Sequence, residues 1–257
     1  MIGGPIETHV AAGCGFRSSA ATHPGARRPV NEDAWLNRPD IGLWAVADGA
    51  GGHEAGAAAA RAAISALDDI ASQLTGGELL AEVRRRLGCV HEALRHAAAE
   101  RGADVMMATT IVALIARQGH FACVWAGDSR LYRWQGAQFE QMTRDHNLVQ
   151  EMIDRGEDGS TCVEPNVITR ALGSPMAEPG LEKVTGAVMP ADRFLLCSDG
   201  VTKVFTDDAL AVLLGEGTGE TGAERIVAAA CARGAGDNVT AVVVEIGDCD
   251  EPDAAIV

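Results

Sequence analysis

The sequence predicts an α+β fold in which antiparallel β-sheets carry helices on their outer faces. Between about 107 and 142, apolar residues recur with the two-residue period of strands, and short turn sequences separate the runs. On either side of this region, segments with helical spacing lie between strand-like runs, which differs from the regular alternation of a βαβ repeat. The 257 residues contain no internal repeat and no convincing linker, so we expect a single domain.

The first half of the chain is expected to contain a buried strand followed by two helices. Residues 41–47 form an apolar run of strand length, and the glycine-rich residues 48–52 end it with a turn. Apolar residues then recur at helical spacing over about 54–74 and again over about 78–100. Three consecutive arginines in the second of these helices, at 84–86, are expected to form a solvated face and not a nucleic-acid patch.

The second half is expected to begin with a strand meander and to end with further helices and strands. The strands are predicted at 109–116, 120–126, 131–134, 138–142, 181–188, 193–198 and 239–246. The helices are predicted near 147–155, at 206–214 and at 221–233, with Thr221 as a possible N-cap. The first four strands should form one continuous antiparallel meander, because short turns separate them.

Composition and charge exclude several classes of function. The formal net charge of −15 argues against binding to nucleic acid or to an anionic membrane. No apolar run is long enough to span a bilayer, and the N-terminus lacks the pattern of a secretory signal. The seven cysteines show no C-x-x-C spacing, which favours reduced thiols over a disulfide framework or a zinc site. We therefore expect a cytoplasmic protein, and we also expect it to be a monomer.

Four short acidic segments share one design, an aspartate beside a glycine or an amide at the border of an apolar run. They are Asn31-Glu32-Asp33, Ala47-Asp48-Gly49, Ser198-Asp199-Gly200 and Gly236-Asp237-Asn238. Carboxylates at strand ends can converge at one rim of a sheet, and unpaired carboxylates there need a cation. Oxygen ligands favour Mg²⁺ or Mn²⁺ over zinc. This pattern predicts metal-assisted chemistry.

Each of these segments also has an ordinary structural interpretation. Arg28 lies four residues before Glu32 and could grip a phosphate, but the segment could equally be a polar surface loop with an incidental ion pair. Asp48 with Gly49 could be a common Asp-Gly turn, and the segment around Asp128 could be a hairpin turn. The glycine-rich string after Asp48 lacks the spacing of a phosphate-binding P-loop.

Taken in order, the motifs resemble the metal-dependent protein phosphatases of type 2C, the PPM family, in their compact bacterial form. The motifs are NED, VADGAGGH, ATT, GDSRLY, TRDHNLVQ, ITRALG, CSDG and GDNVT, and the match runs from about residue 22 to residue 246. The resemblance implies a β-sandwich of two antiparallel sheets flanked by helices (αββα). One catalytic domain would cover 1–257, with its core at about 8–247 and a loose acidic tail at 248–257.

The resemblance also assigns metal ligands residue by residue. The implied ligands are Glu32, Asp33, Asp48, the Gly49 carbonyl, Asp128, Asp199 and Asp237. Asp48 would bridge two tightly bound Mg²⁺ or Mn²⁺ ions. Asp199 and Asp237 would supply further ligands to one ion, and Glu32 and Asp33 would supply them to the other. Asp128 would share a weaker third ion with Asp199. The segment 148–179 corresponds in position to the mobile flap beside the active site.

The implied activity is hydrolysis of phosphoserine and phosphothreonine on substrates of a Ser/Thr kinase, by a hydroxide bound between the two ions. Arg28 would bind the phosphate, whereas Arg27 has the wrong spacing. His53 could be the general acid or a structural residue at a helix start, and His146 is expected to be structural. Two alternatives stay open: a non-catalytic phosphoprotein-binding module of the same fold, and a phosphatase dedicated to an anti-sigma antagonist.

Overall fold

The protein is a sandwich of two antiparallel β-sheets with helices on both outer faces. The computed structural model describes residues 7–13, 15–102, 105–136 and 138–247. The first sheet has the strand order β1-β2-β12-β11-β8-β9, and the second has the order β10-β7-β6-β4-β3, with the short β5 paired to β4. The expected αββα arrangement is therefore confirmed.

The described residues form twelve strands and six α-helices. The first sheet contains β1 (Glu7–Gly13), β2 (Phe16–His23), β8 (Arg130–Gln135), β9 (Gln138–Gln141), β11 (Arg193–Cys197) and β12 (Val239–Ile246). The second contains β3 (Asp33–Arg38), β4 (Leu43–Ala50), β5 (Ala108–Thr109), β6 (Ile111–Arg117), β7 (His120–Ala126) and β10 (Glu182–Ala187). The helices are α1 (His53–Asp68), α2 (Gly76–Arg101), α3 (Leu148–Asp154), α4 (Asp199–Thr202), α5 (Asp207–Glu216) and α6 (Gly222–Ala232).

Three apolar layers hold this sandwich together. Between the sheets, Trp44 of β4 and Val242 of β12 belong to one fully buried cluster. A second cluster joins the outer face of β4 and β6 to α1 and α2, and a third joins β11 and β12 to α5 and α6. Because β12 is buried along its whole length, it forms the centre of the first sheet. Burial of apolar surface on both faces of each sheet is the main stabilising contribution.

The central meander predicted from the strand period is wrong at one connection. Strands β6 and β7 form a hairpin, as do β8 and β9, but β7 belongs to the second sheet and β8 to the first. The chain therefore crosses between the sheets at 127–129. Gly127 makes the crossing possible, because its φ is +113° and a Cβ there would lie 2.6 Å from the side chain of Thr110.

Two predicted boundaries are also wrong. The strand expected at 41–47 continues through Asp48 to Ala50, because β3 and β5 offer pairing partners for these residues. The helix expected at 54–74 ends at Asp68, and Leu74 lies in the loop before α2. That second helix begins with a capping box, in which Thr75 and Glu78 bond each other's backbone N–H groups.

Other elements lie close to their predicted positions. β12 has the predicted bounds, and Thr221 occupies the N-cap position of α6 without a side-chain hydrogen bond. The strands β1, β2 and β3 were not predicted from the apolar pattern. The predicted tail at 248–257 lies outside the described residues. Among the described helices, none has the length and apolar character needed to cross a bilayer.

The segment 148–179 contains α3 and a short 3₁₀ turn at 159–161 but little other regular structure. Asn147 caps α3 by accepting a hydrogen bond from the Gln150 N–H. At its far end, Leu172 forms an isolated bridge with Thr109 of β5. This connector is therefore tied to the strand that pairs with the end of β4.

Candidate metal centre

The fold brings together four predicted site residues, Asp33, Asp48, Asp199 and Asp237, at one end of the sandwich. Two come from the β3–β4 pair of the second sheet, and two flank the β11–β12 pair of the first sheet. Asp33 begins β3 and lies opposite Asp48 in the β3–β4 pair. In the other sheet, Asp199 follows β11 and Asp237 precedes β12, two strands that pair antiparallel. Burial raises the pKa of Asp48 well above its usual range, and the charges of Asp33, Asp199, Asp128 and Asp237 add to that increase.

Asp33 links the two sheets at this end. Its Oδ2 accepts hydrogen bonds from the hydroxyl groups of Ser198, at 2.8 Å, and Thr240, at 2.6 Å. Its Oδ1 is buried and has no hydrogen-bond partner. Burial raises the pKa of Asp33 to about 7, although the two hydroxyl donors oppose that shift. If Asp33 is ionised, its buried Oδ1 carries negative charge without a hydrogen bond, which costs free energy unless a cation lies beside it.

The backbone of Asp48 is held by a threonine pair. The Asp48 N–H donates to Thr110 Oγ1 at 3.0 Å, and the Asp48 carbonyl accepts from the Thr110 N–H and the Thr109 hydroxyl. Thr110 Oγ1 in turn bonds Ser129 Oγ at 2.7 Å. Thr109 and Thr110 belong to the ATT motif, and they bond only the backbone of Asp48. The motif therefore fixes the position of Asp48 without using its carboxylate.

Gly49 is required by close packing between β4 and α1. A Cβ at this position would lie 2.3 Å from the carbonyl oxygen of Gly56 and 2.8 Å from that of Glu32. The Gly49 N–H donates to the same Glu32 carbonyl. The Glu32 side chain packs against Gly56, where a Cβ would come within 2.1 Å of Oε2. The sequence-predicted Glu32 thus lies at the beginning of α1, next to the strand that carries Asp48.

Asp128 lies in the crossing between β7 and β8 and is buried. Its Oδ1 has no hydrogen-bond partner. Burial raises the pKa of Asp128 to about 7, the charges of Asp199 and Asp145 add to the increase, and Lys203 opposes it. Arg130, the first residue of β8, ties this crossing to Asp145 by donating hydrogen bonds from Nε and Nη2 to the Asp145 carboxylate. The contribution of Asp199 shows that the two carboxylates interact electrostatically, and their sharing of a third ion stays a prediction.

Two cationic side chains contact the cluster. Arg28 Nε lies 2.8 Å from Asp237 Oδ1, and Lys203 Nζ lies 2.5 Å from Asp199 Oδ2 and 3.1 Å from Asp237 Oδ2. Burial alone would raise the pKa of Asp237, but its contacts with Arg28 and Lys203 outweigh burial and the pKa is lowered. The pKa of Asp199 stays raised, because burial outweighs its contact with Lys203.

The other candidate residues lie in different surroundings. Arg27 packs along Gly236 and makes no described contact with the carboxylates. His53 is the first residue of α1, but its side chain lies outside the described part of the structure. His146 is buried, its Nδ1 accepts a hydrogen bond from the Gly127 N–H, and its ring stacks on Trp125. This supports a structural role for His146 at the sheet crossing.

Sequence reasoning missed the roles of four side chains that contact the site or the loop before it. Ser198 and Thr240 bind Asp33, and Asn238 ties the loop before β3 by bonding the Pro24 and Val30 carbonyls and the Glu32 N–H. These roles depend on which strands become neighbours, which the sequence pattern does not show. Lys203 had a local signal, because it lies four residues after Asp199 at the start of a helix and therefore on the same face.

The residues present fit a pair of hard divalent cations. The donor set consists of carboxylate and carbonyl oxygens, and two buried carboxylate oxygens, on Asp33 and Asp128, have no hydrogen-bond partner. Within the described ranges, no group of three or more His, Cys, Asp or Glu side chains is arranged so that it could hold a metal ion as it stands. Asp199 and Asp237 instead bind Lys203 and Arg28, so cation binding requires these ion pairs to rearrange.

The buried carboxylates predict that the protein in EDTA loses stability as the pH rises from 5.5 to 8. Because the pKa values of Asp33 and Asp128 are raised to about 7, the folded state retains protons that the unfolded chain releases above about pH 4. That stabilisation is lost as the pH rises through about 7. Calorimetry in EDTA should show Tm falling by several degrees, and Asp33→Asn should flatten the profile. A Tm that increases from pH 5.5 to 8 would show that the pKa values of Asp33 and Asp128 are not raised in the folded protein.

The sequence and the fold were compared with known proteins. The protein phosphatase 2C family matches residues 25–236. The serine/threonine protein phosphatase PstP of Mycobacterium tuberculosis is 32% identical over 240 residues, covering 91% of this chain but only 46% of PstP. The serine/threonine phosphatase stp of Listeria monocytogenes is also 32% identical, over 87% of this chain and 93% of stp. The chain thus spans about half the length of PstP and nearly all of stp.

Solved structures show the same fold. PppA, a key regulatory component of T6SS in Pseudomonas aeruginosa, superimposes with a TM-score of 0.84 at 39% identity, covering 93% of this chain and 99% of PppA. The catalytic domain of PstP in complex with two manganese ions gives a TM-score of 0.80 at 33% identity, covering 91% and 99% of the two chains. The chain belongs to the protein phosphatase 2C family.

Proposed function

We propose that the protein is a metal-dependent phosphatase that hydrolyses phosphoserine and phosphothreonine on proteins. The observation that carries the proposal is the convergence of Asp33, Asp48, Asp199 and Asp237 at one end of the sandwich, with two buried carboxylate oxygens in the site left without hydrogen bonds. The solved PstP domain, which holds two manganese ions, supports the same use of this site. Mg²⁺ or Mn²⁺ is the proposed cofactor, because both prefer oxygen ligands.

In this proposal, Asp48 would hold the two ions together with Asp199 and Asp237 on one side and Glu32 and Asp33 on the other. Bound in this way, two divalent ions would activate a water and neutralise phosphate charge. The protein's own contribution is orientation. The Ser198 and Thr240 hydroxyls fix Asp33, and Thr110 fixes the backbone of Asp48. The side chains that hold the ions therefore need little further ordering when substrate binds.

Arg28 is proposed to bind the phosphate. Its side chain is about half exposed, at 53%, at the edge of the cluster, and its guanidinium can offer two parallel N–H groups to two phosphate oxygens. To do so it must loosen its ion pair with Asp237, which a cation on Asp237 would favour. Phosphoryl transfer depends mainly on positioning and on neutralising charge, and Arg28 supplies both at the substrate.

A cysteine nucleophile is not part of the proposal. Burial raises the pKa of the Cys197 thiol to about 12, and burial also raises the pKa of the Cys123 thiol strongly. At neutral pH both would remain protonated and therefore poorly nucleophilic. The chain has one C-x5-R spacing, from Cys89 to Arg95, but both residues lie inside helix α2 and so do not form the phosphate-binding loop of cysteine-dependent phosphatases. Direct attack by water on phosphorus is the reaction that the site chemistry supports.

The proposed setting is cytoplasmic signalling, in which the protein acts as a monomer and reverses a Ser/Thr kinase. The five cysteines in the described residues are free thiols, as suits a reducing compartment. Neither nucleic acid nor membrane is a proposed partner, because the net charge is −15. A phosphoproteome comparison of a deletion strain with its parent would identify the substrates and would test the anti-sigma-antagonist alternative.

The direct test is hydrolysis of p-nitrophenyl phosphate and of a phosphothreonine peptide by the EDTA-treated protein, with and without added Mn²⁺. The proposal predicts release of phosphate from both substrates only when Mn²⁺ is present. A folded protein that binds the phosphopeptide but releases no phosphate at saturating Mn²⁺ would instead be the non-catalytic binding module. Equal rates in Mn²⁺ and in EDTA would rule out a metal-dependent mechanism.

Asp128→Ala is expected to reduce activity on the phosphopeptide more than on p-nitrophenyl phosphate. We propose that Asp128 and Asp199 hold a weaker third ion, which would help to protonate the departing alkoxide of a phosphopeptide. The p-nitrophenolate group leaves without a proton. Both rates should be measured across a Mn²⁺ titration, with Asp69→Ala as the control, since Asp69 lies at the other end of α1, about 24 Å from its start.

The two substrates separate this role from a general structural one. Equal loss on both substrates would show that Asp128 does not assist the leaving group. Loss of the tightly bound Mn²⁺ pair in the variant would show that it supports the main site instead. The expected result is a main site that binds Mn²⁺ as before and a phosphopeptide rate that falls several-fold further than the p-nitrophenyl phosphate rate.

A further inference from the structure

Lys203 joins two of the carboxylates that are proposed to bind metal. It follows α4, and its backbone N–H bonds the Asp199 carbonyl at 2.8 Å, which places its side chain over the start of that helix. Its Nζ then reaches Oδ2 of Asp199 at 2.5 Å and Oδ2 of Asp237 at 3.1 Å. One ammonium group therefore occupies two oxygens that the metal centre would need.

We propose that Lys203 is a built-in competing cation, which lowers the affinity of the centre for divalent metal at Asp199 and Asp237. This inference rests on the proposed function, because it assumes that these carboxylates bind metal. An ammonium group that pairs with a carboxylate oxygen offsets part of its negative charge, so the oxygen attracts a second cation less strongly. A unit charge a few ångströms away in a partly buried site also repels that cation directly.

The surroundings of the pair make this competition strong. Asp237 already pairs with Arg28 at 2.8 Å, so two cations share one carboxylate. The Lys203 side chain is 41% exposed, whereas that of Asp199 is only 18% exposed, so the contact lies at the mouth of the site. Lysine is a compact charge on a flexible stem and can swing into solvent without a backbone shift. Metal binding can thus displace Lys203 without a shift of the backbone that carries the carboxylates.

The opposite role would be positioning, in which Lys203 holds Asp199 and Asp237 in the geometry that metal requires. The two roles predict opposite signs when the charge is removed. Loss of a competitor tightens metal binding, whereas loss of a positioning contact weakens it. A measurement of metal affinity therefore distinguishes them without reference to catalysis.

The first experiment is calorimetric titration of the EDTA-stripped, dialysed protein with Mn²⁺. Lys203→Met is expected to lower the Kd for Mn²⁺ at least about tenfold, and Lys203→Arg should change it much less because the charge is retained. The control is Lys183→Met, since the chain has only two lysines and Lys183 is exposed on β10. This variant changes the net charge by the same amount away from the site. Lys203→Gln provides a second neutral variant if the Met variant folds poorly.

A second readout follows the lysine itself. Reductive methylation with ¹³C-formaldehyde labels Lys203, Lys183 and the terminal amine, so each lysine can be assigned in NMR spectra from its substitution. Titration with diamagnetic Mg²⁺ should shift the Lys203 methyl signal in step with metal binding and leave the Lys183 signal unchanged.

The outcomes separate the inference from the proposed function. If the wild-type protein binds neither Mn²⁺ nor Mg²⁺, the proposed metal centre fails and the competition fails with it. If the wild type binds metal but the Met and Gln variants bind it no more tightly, only the competition is refuted. A Lys203 signal that stays fixed while calorimetry reports metal binding would also overturn it.

Discussion

Asp199→Asn and Asp237→Asn are each expected to lower kcat by at least about two orders of magnitude while the protein stays folded. Asparagine preserves the shape of the side chain but removes the charge that a divalent ion requires, so the centre would lose a ligand without creating a cavity. The pKa of Asp237 is lowered, so this carboxylate is ionised at any pH at which the enzyme would work. The measurement is kcat on a phosphothreonine peptide at saturating Mn²⁺.

The control for this pair is Asp69→Asn, which removes a carboxylate at the far end of α1. Circular dichroism and Tm in EDTA should confirm that all three variants are folded. Near-normal turnover by either Asp199→Asn or Asp237→Asn at saturating Mn²⁺ would show that the residue is not a required ligand.

Arg28→Ala is expected to lower kcat/KM by about thirtyfold or more, whereas Arg27→Ala should have little effect. Losing a charged, bidentate contact to phosphate costs on the order of 2–4 kcal/mol in transition-state binding. Arg28 lies at the carboxylate cluster, within 2.8 Å of Asp237, and Arg27 packs along Gly236. The two neighbouring arginines therefore form a matched pair for the same assay.

Arg28→Lys refines this prediction. A lysine keeps the charge but cannot present two parallel N–H groups, so its kcat/KM should fall between those of the wild type and Arg28→Ala. Equal losses from the Arg27 and Arg28 variants would mean that the phosphate is bound elsewhere or that both arginines act only through net charge.

Much of the fold could be predicted because local patterns and tertiary contacts agree. The strand 239–246 has its predicted bounds, since its apolar run is buried on both faces in the centre of a sheet. The crossing at Gly127 could not be predicted. A short turn between two strands gives the same local pattern whether the strands pair or enter different sheets. Likewise, β4 extends to Ala50 only because β5, more than fifty residues later, pairs with it.

In the candidate site, too, the features with a local sequence pattern could be predicted, and those that depend on tertiary contacts could not. The aspartates were recognisable because each lies at the border of an apolar run beside a glycine or an amide, and the order of the motifs matches a family pattern. The residues that support them were not recognisable, since Thr240 and Ser198 reach Asp33 only after the two sheets have packed together. Lys203 was also missed, although its spacing of four residues from Asp199 is a local signal for the same helix face.

The central claim is that the carboxylates at this end of the sandwich bind divalent metal. Crystals grown with Mn²⁺ and measured at a wavelength where manganese scatters anomalously would test it most directly. The account predicts two strong anomalous peaks that share Asp48, one in contact with Asp199 and Asp237 and the other on the side of Glu32 and Asp33. Crystals that show no peak within coordination distance of Asp48, or peaks only at other carboxylates on the surface, would contradict it.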